Sequence, residues 1–167
     1  MVCFSLGSNM GDKAAYLKQA LTMLSENIGE IISVSSVYET EPWGVNLHEN
    51  YLNTVACYRT ILSPDEVFNF ISSVEKKLGR IRTLKSAEPR TIDIDILFFD
   101  DLIIKNENLT IPHPLIKYRK FVLQPLSENM EKFIHPEYGL TIKELLAQCT
   151  DTSAVIKTDL RLFLYDV

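Results

Sequence analysis

Two aspartates that alternate with isoleucines are the residues best suited to chemistry in this sequence. Residues 91–97 read TIDIDIL, the period of two that is typical of a β-strand. Asp93 and Asp95 therefore share one face, about 7 Å apart along the strand. Two such carboxylates repel each other unless a cation neutralises them, and Mg²⁺ prefers carboxylate oxygens together with substrate phosphates. The pattern predicts a magnesium site, although a half-exposed strand with a solvated outer face also fits the spacing.

Positive charge is concentrated just before this aspartate pair. Cations next to a metal-binding strand are what a polyphosphate site requires, because guanidinium and ammonium groups bind phosphate oxygens. A solvated run of charges, paired with Glu75 and Glu88, is the alternative interpretation. Six of the 17 Lys and Arg residues lie within 15 residues of sequence, namely Lys76, Lys77, Arg80, Arg82, Lys85 and Arg90.

A histidine between two prolines is the second unusual element. Residues 111–114 read IPHP, which restricts the backbone around His113. An imidazole there is suited to donating a hydrogen bond to a phosphate or a leaving oxygen. A turn histidine without a role fits this fragment equally well. Arg119 and Lys120 follow shortly and extend the cationic surface.

An aromatic and amide pair forms a third candidate. The only tryptophan, Trp43, lies in a Pro- and Gly-containing loop, and Tyr51 and Asn53 open the next predicted strand. An aromatic ring stacks on a flat heterocycle, while an amide side chain offers both a donor and an acceptor to its edge. Loop anchoring by Trp43 and core packing by Tyr51 are the alternative.

Other patterns narrow the class of protein. The sequence has no G-x-x-x-x-G-K-[ST] loop and no G-x-G-x-x-G turn. A formal net charge of −5 argues weakly against DNA or RNA as a partner. No apolar run approaches the ~20 residues of a membrane span. Cys3, Cys57 and Cys149 form no C-x-x-C pair, so we expect buried free thiols in a reducing compartment. We also expect a soluble, cytoplasmic protein without an obligate protein partner.

A few strands and helices must position these residues. Hydrophobic periodicity, helix caps and turn residues predict the order β-α-β-β-α-β, the split pattern of ferredoxin-like folds. We predict one α+β domain over residues 1–167, with two helices on one face of an antiparallel sheet, a small hairpin and a C-terminal extension. The predicted strands are 2–6, 30–40, 51–60, 91–99 and 154–167, and the predicted hairpin spans 102–111. Three helices are predicted. The first spans 12–27, the second is capped by Ser63 and ended by Gly79, and the third lies near 141–148.

In their order and spacing, six segments resemble the 6-hydroxymethyl-7,8-dihydropterin pyrophosphokinases, a family of folate-pathway enzymes. Each segment alone is weakly specific, but the set is highly specific. The resemblance covers residues 2–125, about three quarters of the chain. The segments are LGSN at 6–9, YETEPWG at 38–44, YLN at 51–53, GRIR at 79–82, PRTIDID at 89–95 and IPHP at 111–114.

The resemblance implies transfer of pyrophosphate from ATP to the hydroxymethyl pterin, with release of AMP and two Mg²⁺ held by Asp93 and Asp95. It implies two loops, 41–50 and 80–89, that close over the substrates. The catalytic residues it implies are Arg82, Arg90, Asp93 and Asp95. For ATP binding it implies Glu75, Arg80, Arg82, Arg90, Thr110, His113 and Arg119. For pterin binding it implies Gly7, Thr40, Pro42, Trp43, Tyr51, Asn53 and Phe121.

One departure and one competing function remain. The family usually carries an aromatic and a small residue just before Pro89, where this chain has Ala87 and Glu88. A stacking or loop-closing contact is therefore missing or supplied elsewhere. The alternative function is a non-catalytic ferredoxin-like module that binds a nucleotide or RNA. The local basic cluster favours that module, whereas the acidic balance and the aspartate pair oppose it.

Overall fold

Helices and strands alternate along most of the chain. The computed structural model describes residues 1–42, 49–81 and 89–162, so Trp43, Arg82, Ala87 and Glu88 lie outside the described residues. The elements are β1 (Val2–Ser8), α1 (Lys13–Asn27), β2 (Glu30–Val34), β3 (Tyr38–Thr40), β4 (Tyr51–Arg59), α2 (Pro64–Lys77), β5 (Asp93–Phe99), β6 (Ile104–Lys105), β7 (Thr110–Ile111), a 3₁₀ turn (Ile116–Tyr118), α3 (Lys120–Met130), α4 (Ile142–Gln148) and β8 (Val155–Lys157).

Side-chain caps begin helices α1, α2 and α4. The Asp12 carboxylate accepts a hydrogen bond from the Ala15 N–H at 3.0 Å, which caps α1. Ser63 and Glu66 form a reciprocal capping box at the start of α2, as predicted. A second capping box, which starts at Thr141, begins α4. None of the helices in the described ranges is long and apolar enough to cross a membrane.

The main sheet is antiparallel, and β1 lies between β4 and β5. The strand order is β5-β1-β4-β3-β8, and β2 also pairs with β4. The register sets Gly7 of β1 opposite both Asn53 and Asp93. Two residues earlier, Ser5 lies opposite Asp95. The sheet therefore brings residues from three distant parts of the sequence side by side on one face.

Both faces of the sheet are covered, whereas the sequence analysis predicted helices on one face only. Phe4 and Leu6 pack into a core with α1 and α2. Cys3 and Leu97 point to the other face, where Leu123 and its neighbours in α3 and α4 form a second core. The reason is that β1 is apolar at successive positions and is buried along its whole length, which requires cover on both sides.

The predicted single strand 30–40 is two strands. Val34 lies opposite Ala56, and Tyr38 lies opposite Asn53. Val34 and Tyr38 are four residues apart, whereas their partners in β4 are three residues apart. The extra residue breaks the ladder, as in a β-bulge. Ser35 stabilises the break, because its hydroxyl accepts a hydrogen bond from the Val55 N–H at 2.9 Å. Residues 38–40 are thereby set apart as the short strand β3.

The C-terminal part is more regular than predicted in one place and less in another. After Pro112 the sequence predicts irregular helical structure without bounds, and helix α3, which contains Pro125, lies in this part of the chain. The predicted helix near 141–148 is confirmed as α4. The predicted strand 154–167 is only three residues long among the described residues, and β8 pairs with β3 at the sheet edge. β6 and β7 form a separate two-stranded antiparallel sheet.

The prediction of three free thiols is wrong for two of them. Cys3 and Cys57 are joined by a disulfide between β1 and β4. They lie directly opposite each other in the register, with a Cα–Cα distance of 4.1 Å. Cys149 is a free thiol and is half-buried. The two cysteines are 54 positions apart in the sequence, so local sequence patterns could not predict their contact.

Candidate functional site

Asp93 and Asp95 lie on the same face of β5, as the alternation predicts. Their neighbours Ile94 and Ile96 are buried in the core on the opposite face, at 4% and 5% exposure. The side chains of the two aspartates keep 21% and 38% exposure. Both carboxylates are therefore partly exposed on the face that Gly7 and Ser5 share.

Two arginines neutralise Asp93. Arg80 Nη1 lies 2.5 Å from Asp93 Oδ1, and the Arg90 guanidinium pairs with the other carboxylate oxygen. Arg80 and Arg90 come from opposite sides of the segment 82–88 and converge on one carboxylate. The predicted cationic cluster thus contributes at least two arginines to the aspartates, and their guanidinium forks are suited to phosphate oxygens.

Buried Glu75 holds Arg80 and β5 in place through direct contacts. Its side chain is 2% exposed and pairs with the Arg80 guanidinium. Its Oε1 also accepts a hydrogen bond from the Ile94 N–H at 2.9 Å. One buried carboxylate therefore fixes both an arginine and the strand that carries the aspartates. The resemblance implies that Glu75 faces the nucleotide region, and in the structure its carboxylate contacts Arg80, which is itself predicted to bind ATP.

Asp95 has a less favourable environment than Asp93. Arg119 Nη1 lies 3.5 Å and His113 Nε2 lies 3.7 Å from Asp95 Oδ2. Desolvation by surrounding protein atoms and the charge of Asp93 raise the pKa of Asp95 to about 6, against the opposing effect of Arg119. Asp95 is therefore mostly ionised at pH 7 and lies next to the charge of Asp93, an arrangement that a bound divalent cation relieves.

His113 is a neutral donor aimed at Asp95. Burial and the nearby Arg119 lower the pKa of His113 to about 4. Its Nδ1 accepts a hydrogen bond from the Leu115 N–H at 3.1 Å, so in the neutral ring the proton lies on Nε2. Its own backbone N–H donates to the Leu97 carbonyl at 3.1 Å, which ties the ring position to β5. The imidazole can therefore donate one hydrogen bond into the site.

The predicted pterin residues meet beside the aspartates on β1, β3 and β4. Asn53 Nδ2 donates to the Thr40 hydroxyl at 2.7 Å, and both residues are buried. A Cβ on Gly7 would lie 2.6 Å from Asn53 Oδ1 and 3.5 Å from the Tyr51 ring. Only glycine allows this close approach. The Tyr51 ring is half-buried, and burial raises the pKa of its hydroxyl.

Other predicted residues are placed less closely. The Arg119 guanidinium lies 5.6 Å from the centre of the Phe121 ring, which connects Phe121 to Asp95 through a cation–π contact. Thr110 lies in β7, and Pro42 follows β3. No hydrogen bond or ion pair among the described residues joins either of them to the aspartates. Trp43 and Arg82, also predicted, fall outside those ranges.

The donor set fits a magnesium ion. Two adjacent carboxylates supply hard oxygen ligands, and Mg²⁺ characteristically takes its remaining ligands from water and phosphate. Among residues 1–42, 49–81 and 89–162, no group of three or more His, Cys, Asp or Glu could hold a metal. A site of two carboxylates matches Mg²⁺ that is bound together with substrate phosphates.

Sequence reasoning missed Asn9, which contacts both sides of the site. Its Oδ1 accepts a hydrogen bond from the Arg90 N–H at 2.7 Å. Its Nδ2 lies 3.4 Å from the carbonyl oxygen of Glu49. The side chain is 3% exposed. The signal was its position in the LGSN segment, where an amide leaves a buried strand at a turn.

Comparison with known families and relatives agrees with this geometry. A family model described as 7,8-dihydro-6-hydroxymethylpterin-pyrophosphokinase (HPPK) matches residues 3–131. The chain is 40% identical over 149 residues to the 2-amino-4-hydroxy-6-hydroxymethyldihydropteridine pyrophosphokinase of Aquifex aeolicus, covering 89% of this chain and 92% of that protein. It is 41% identical to the protein of the same name from Bacillus subtilis, over 74% of each.

Longer proteins also contain a similar part. The chain is 37% identical to the folic acid synthesis protein FOL1 of Dictyostelium discoideum, over 87% of this chain but 22% of that protein. The crystal structure of wild-type HPPK-DHPS from Plasmodium falciparum is similar in fold, with a TM-score of 0.71 at 17% identity over 88% of this chain. This chain spans 44% of that one. At such low identity the likeness concerns the fold alone.

Proposed function

Since the chain belongs to the 7,8-dihydro-6-hydroxymethylpterin-pyrophosphokinase family, we propose that it transfers the pyrophosphoryl group of ATP to 6-hydroxymethyl-7,8-dihydropterin and releases AMP. The supporting observation is the pair of carboxylates on one face of β5, which Arg80, Arg90 and Arg119 approach within ion-pair distance. Next to this pair, the Asn53 amide packs closely against Gly7 beside the Tyr51 ring. A polyphosphate and a flat heterocycle would thus be bound side by side.

In the proposed reaction, the hydroxyl oxygen of the pterin forms a bond to the β-phosphorus of ATP. The bond from that phosphorus to the α,β-bridging oxygen breaks, AMP departs with the electron pair, and the hydroxyl proton passes to solvent. Such a transfer depends mainly on positioning and charge neutralisation. Asp93 and Asp95 would hold two Mg²⁺, which supply positive charge at the phosphate oxygens and at the attacking hydroxyl.

The protein's own donors would bind the triphosphate. Arg80 and Arg90 already lie at the aspartates, so their guanidinium groups can contact phosphate oxygens after small side-chain rotations. His113 would donate its Nε2–H to an oxygen without adding charge, because the ring is neutral at pH 7. We keep Arg82 as a catalytic residue and Thr110 as a nucleotide contact on the resemblance alone.

The pterin would lie over the start of β4, next to Tyr51. Tyr51 and Phe121 would stack on its two faces, and Asn53 would hydrogen-bond its edge. The Thr40 hydroxyl accepts from Asn53 Nδ2, which fixes the amide orientation and leaves Oδ1 toward Gly7. Pro42 and Trp43 remain proposed neighbours of the ring from the family resemblance.

Fold and location are part of the same proposal. We propose a ferredoxin-like split sheet, which the order β1, α1, β2–β3, β4, α2, β5 and the position of β1 between β5 and β4 support. We propose that residues 1–167 form one domain of this type. We also propose a cytoplasmic location, where ATP is the available phosphate donor, and no obligate protein partner.

The deciding experiment is AMP release. The purified chain is incubated with ATP, Mg²⁺ and 6-hydroxymethyl-7,8-dihydropterin, and nucleotides are separated by chromatography, with reactions lacking pterin or Mg²⁺ as controls. AMP that forms only when all three are present supports the proposal. Magnesium-dependent ATP binding by calorimetry without any AMP would instead indicate a nucleotide-binding module, the alternative that the basic cluster favours.

A single methyl group at Gly7 is expected to impair pterin binding. In Gly7→Ala the new Cβ would lie 2.6 Å from Asn53 Oδ1, so the amide must move away from the pterin edge. We expect the KM for pterin to rise about tenfold, equivalent to about 1.4 kcal/mol, with kcat and the KM for ATP little changed. Steady-state kinetics with each substrate varied in turn measures this.

Gly139→Ala is the control for this prediction. Gly139 is remote from the predicted site residues in sequence, has φ of 65° and has open space around its Cβ position. Its substitution is expected to lower stability through backbone strain and to leave the KM for pterin unchanged. An unchanged KM in Gly7→Ala, or an equal change in both variants, would contradict the role of Asn53 in pterin binding.

A further inference from the structure

Asn9 joins three segments that are far apart in the sequence. It follows β1 directly and is 3% exposed. Its Oδ1 accepts from the Arg90 N–H at 2.7 Å, and its backbone N–H donates to the Arg90 carbonyl at 3.1 Å. Its Nδ2 lies 3.4 Å from the Glu49 carbonyl oxygen. One residue therefore connects the end of β1 with the segments that lead into β4 and β5.

On one side these contacts fix the backbone of Arg90. Arg90 lies before β5 and outside any helix or strand, and both its N–H and its carbonyl are hydrogen-bonded to Asn9. Asn9 satisfies both groups. The guanidinium of Arg90 then reaches Asp93, three residues ahead. Loss of the two hydrogen bonds would free the backbone from which this side chain extends.

On the other side the contacts hold the entry to β4. The Lys13 ammonium donates to the Asn50 carbonyl at 3.1 Å and lies 3.5 Å from a carboxylate oxygen of Glu49. Asn9 and Lys13 thus contact Glu49 and Asn50, which directly precede Tyr51. The strand that carries Tyr51 and the segment that carries Arg90 therefore both contact the short stretch between β1 and the start of α1.

We propose that Asn9 is a positioning residue for pyrophosphoryl transfer, which aligns Arg90 with Asp93 and sets that arginine relative to the strand carrying Tyr51. The inference rests on the proposed function. Asn9 acts through Arg90 in this account and need not touch a substrate. Misplacement of a phosphate-binding arginine by a fraction of a bond length lowers the rate of transfer more than it lowers ground-state binding.

A double-mutant cycle tests this dependence. Asn9→Ala is expected to lower kcat about 30-fold, with the KM for ATP changing less than threefold. In an Arg90→Ala background the same substitution is expected to lower kcat less than threefold further, because the group that Asn9 positions is gone. If the two effects multiply instead, Asn9 does not act through Arg90 and the inference is wrong.

Asn106→Ala is the matched control. Asn106 Oδ1 accepts from the Leu109 N–H at 2.7 Å and from the Asn108 N–H at 3.0 Å, in the turn between β6 and β7. Both variants lose an amide that accepts backbone hydrogen bonds, so both are expected to melt a few degrees lower. Only Asn9→Ala should change kcat. Equal kcat values for the two variants would overturn the inference.

Two outcomes separate this inference from the proposed function. Wild-type protein that releases no AMP overturns both, whereas active wild type with multiplicative effects overturns the role of Asn9 alone. Asn9→Ser is the second variant in case Asn9→Ala does not fold. Its shorter hydroxyl would fill part of the space but would not reach the Arg90 N–H, so it is expected to show the same loss of kcat and the same dependence on Arg90.

Discussion

Asp95→Asn is expected to lower turnover by about three orders of magnitude while the folded protein becomes more stable. The substitution keeps the shape of the side chain but removes one of the two anionic ligands proposed for magnesium. Charge stabilisation by a metal contributes several kcal/mol to such a transfer, and each 1.36 kcal/mol is tenfold in rate. Nearly complete loss of AMP formation is therefore expected, together with weaker magnesium-dependent ATP binding.

The gain in stability follows from the pKa of Asp95. Burial and the charge of Asp93 raise this pKa to about 6, above the value near 3.9 of an unfolded chain. The folded state therefore binds a proton more readily than the unfolded state. Between pH 4 and pH 6 this linkage lowers stability as the pH rises, and at pH 7 the ionised Asp95 disfavours folding. Its side chain is 38% exposed, so solvent screening limits the effect to about 1 kcal/mol.

Asp101→Asn provides the comparison. Asp101 is exposed and lies two residues past the far end of β5, so Asp101→Asn removes a carboxylate from the same segment without changing Asp93 or Asp95. We expect wild-type kcat for this variant, and a melting temperature about 2–4 °C higher for Asp95→Asn than for wild type. Calorimetry with Mg²⁺ and ATP, AMP assays and thermal melting are sufficient. Near-wild-type turnover of Asp95→Asn would contradict the metal assignment.

Local patterns gave the parts of the fold that depend on neighbouring residues. The period of two predicted β5 and the shared face of Asp93 and Asp95, because side-chain alternation is a property of the strand itself. Ser63 and Glu66 predicted the start of α2 for the same reason, since a capping box closes within four residues. These features need no knowledge of the rest of the chain.

Features that depend on pairing were missed. The break after Val34 depends on register with β4, and the disulfide depends on Cys3 and Cys57 lying opposite each other. The second core had a signal that went unused. Residues 2–6 are apolar at nearly every position, which is typical of a strand buried on both faces rather than one.

The same distinction applies to the site. Residue types and order predicted which residues to propose for the site, namely the arginines, His113 and the aromatic and amide pair. The contacts between them could not be predicted, because Asn9 and Arg90 are 81 residues apart and Asn53 meets Thr40 only through the β3–β4 pairing. Nor does a sequence show that His113 is neutral, since its pKa depends on burial and on Arg119. Tertiary packing sets both.

Glu75→Ala is expected to lower the free energy of unfolding by about 3–5 kcal/mol, the largest stability effect that we predict. Glu75 is buried, pairs with Arg80 and accepts the Ile94 N–H. Removing it leaves a guanidinium in a partly buried place with one carboxylate fewer and a buried backbone N–H without its acceptor. Both losses are costly away from water. Urea unfolding followed by circular dichroism, with the m-value checked for constancy, measures the change.

Glu30→Ala is the matched control, because Glu30 also pairs with an arginine. Its carboxylate lies 2.6 Å from Arg59 Nη1, but the two side chains are 69% and 72% exposed. Exposed pairs contribute less than about 1 kcal/mol, so Glu30→Ala should have a small effect. Glu75→Gln should fall between the two, since it keeps an acceptor for Ile94 but loses the charge. If Glu75→Ala is no more destabilising than Glu30→Ala, then Arg80 is held at Asp93 by the aspartate alone, and the buried glutamate is not the anchor of the phosphate side of the site.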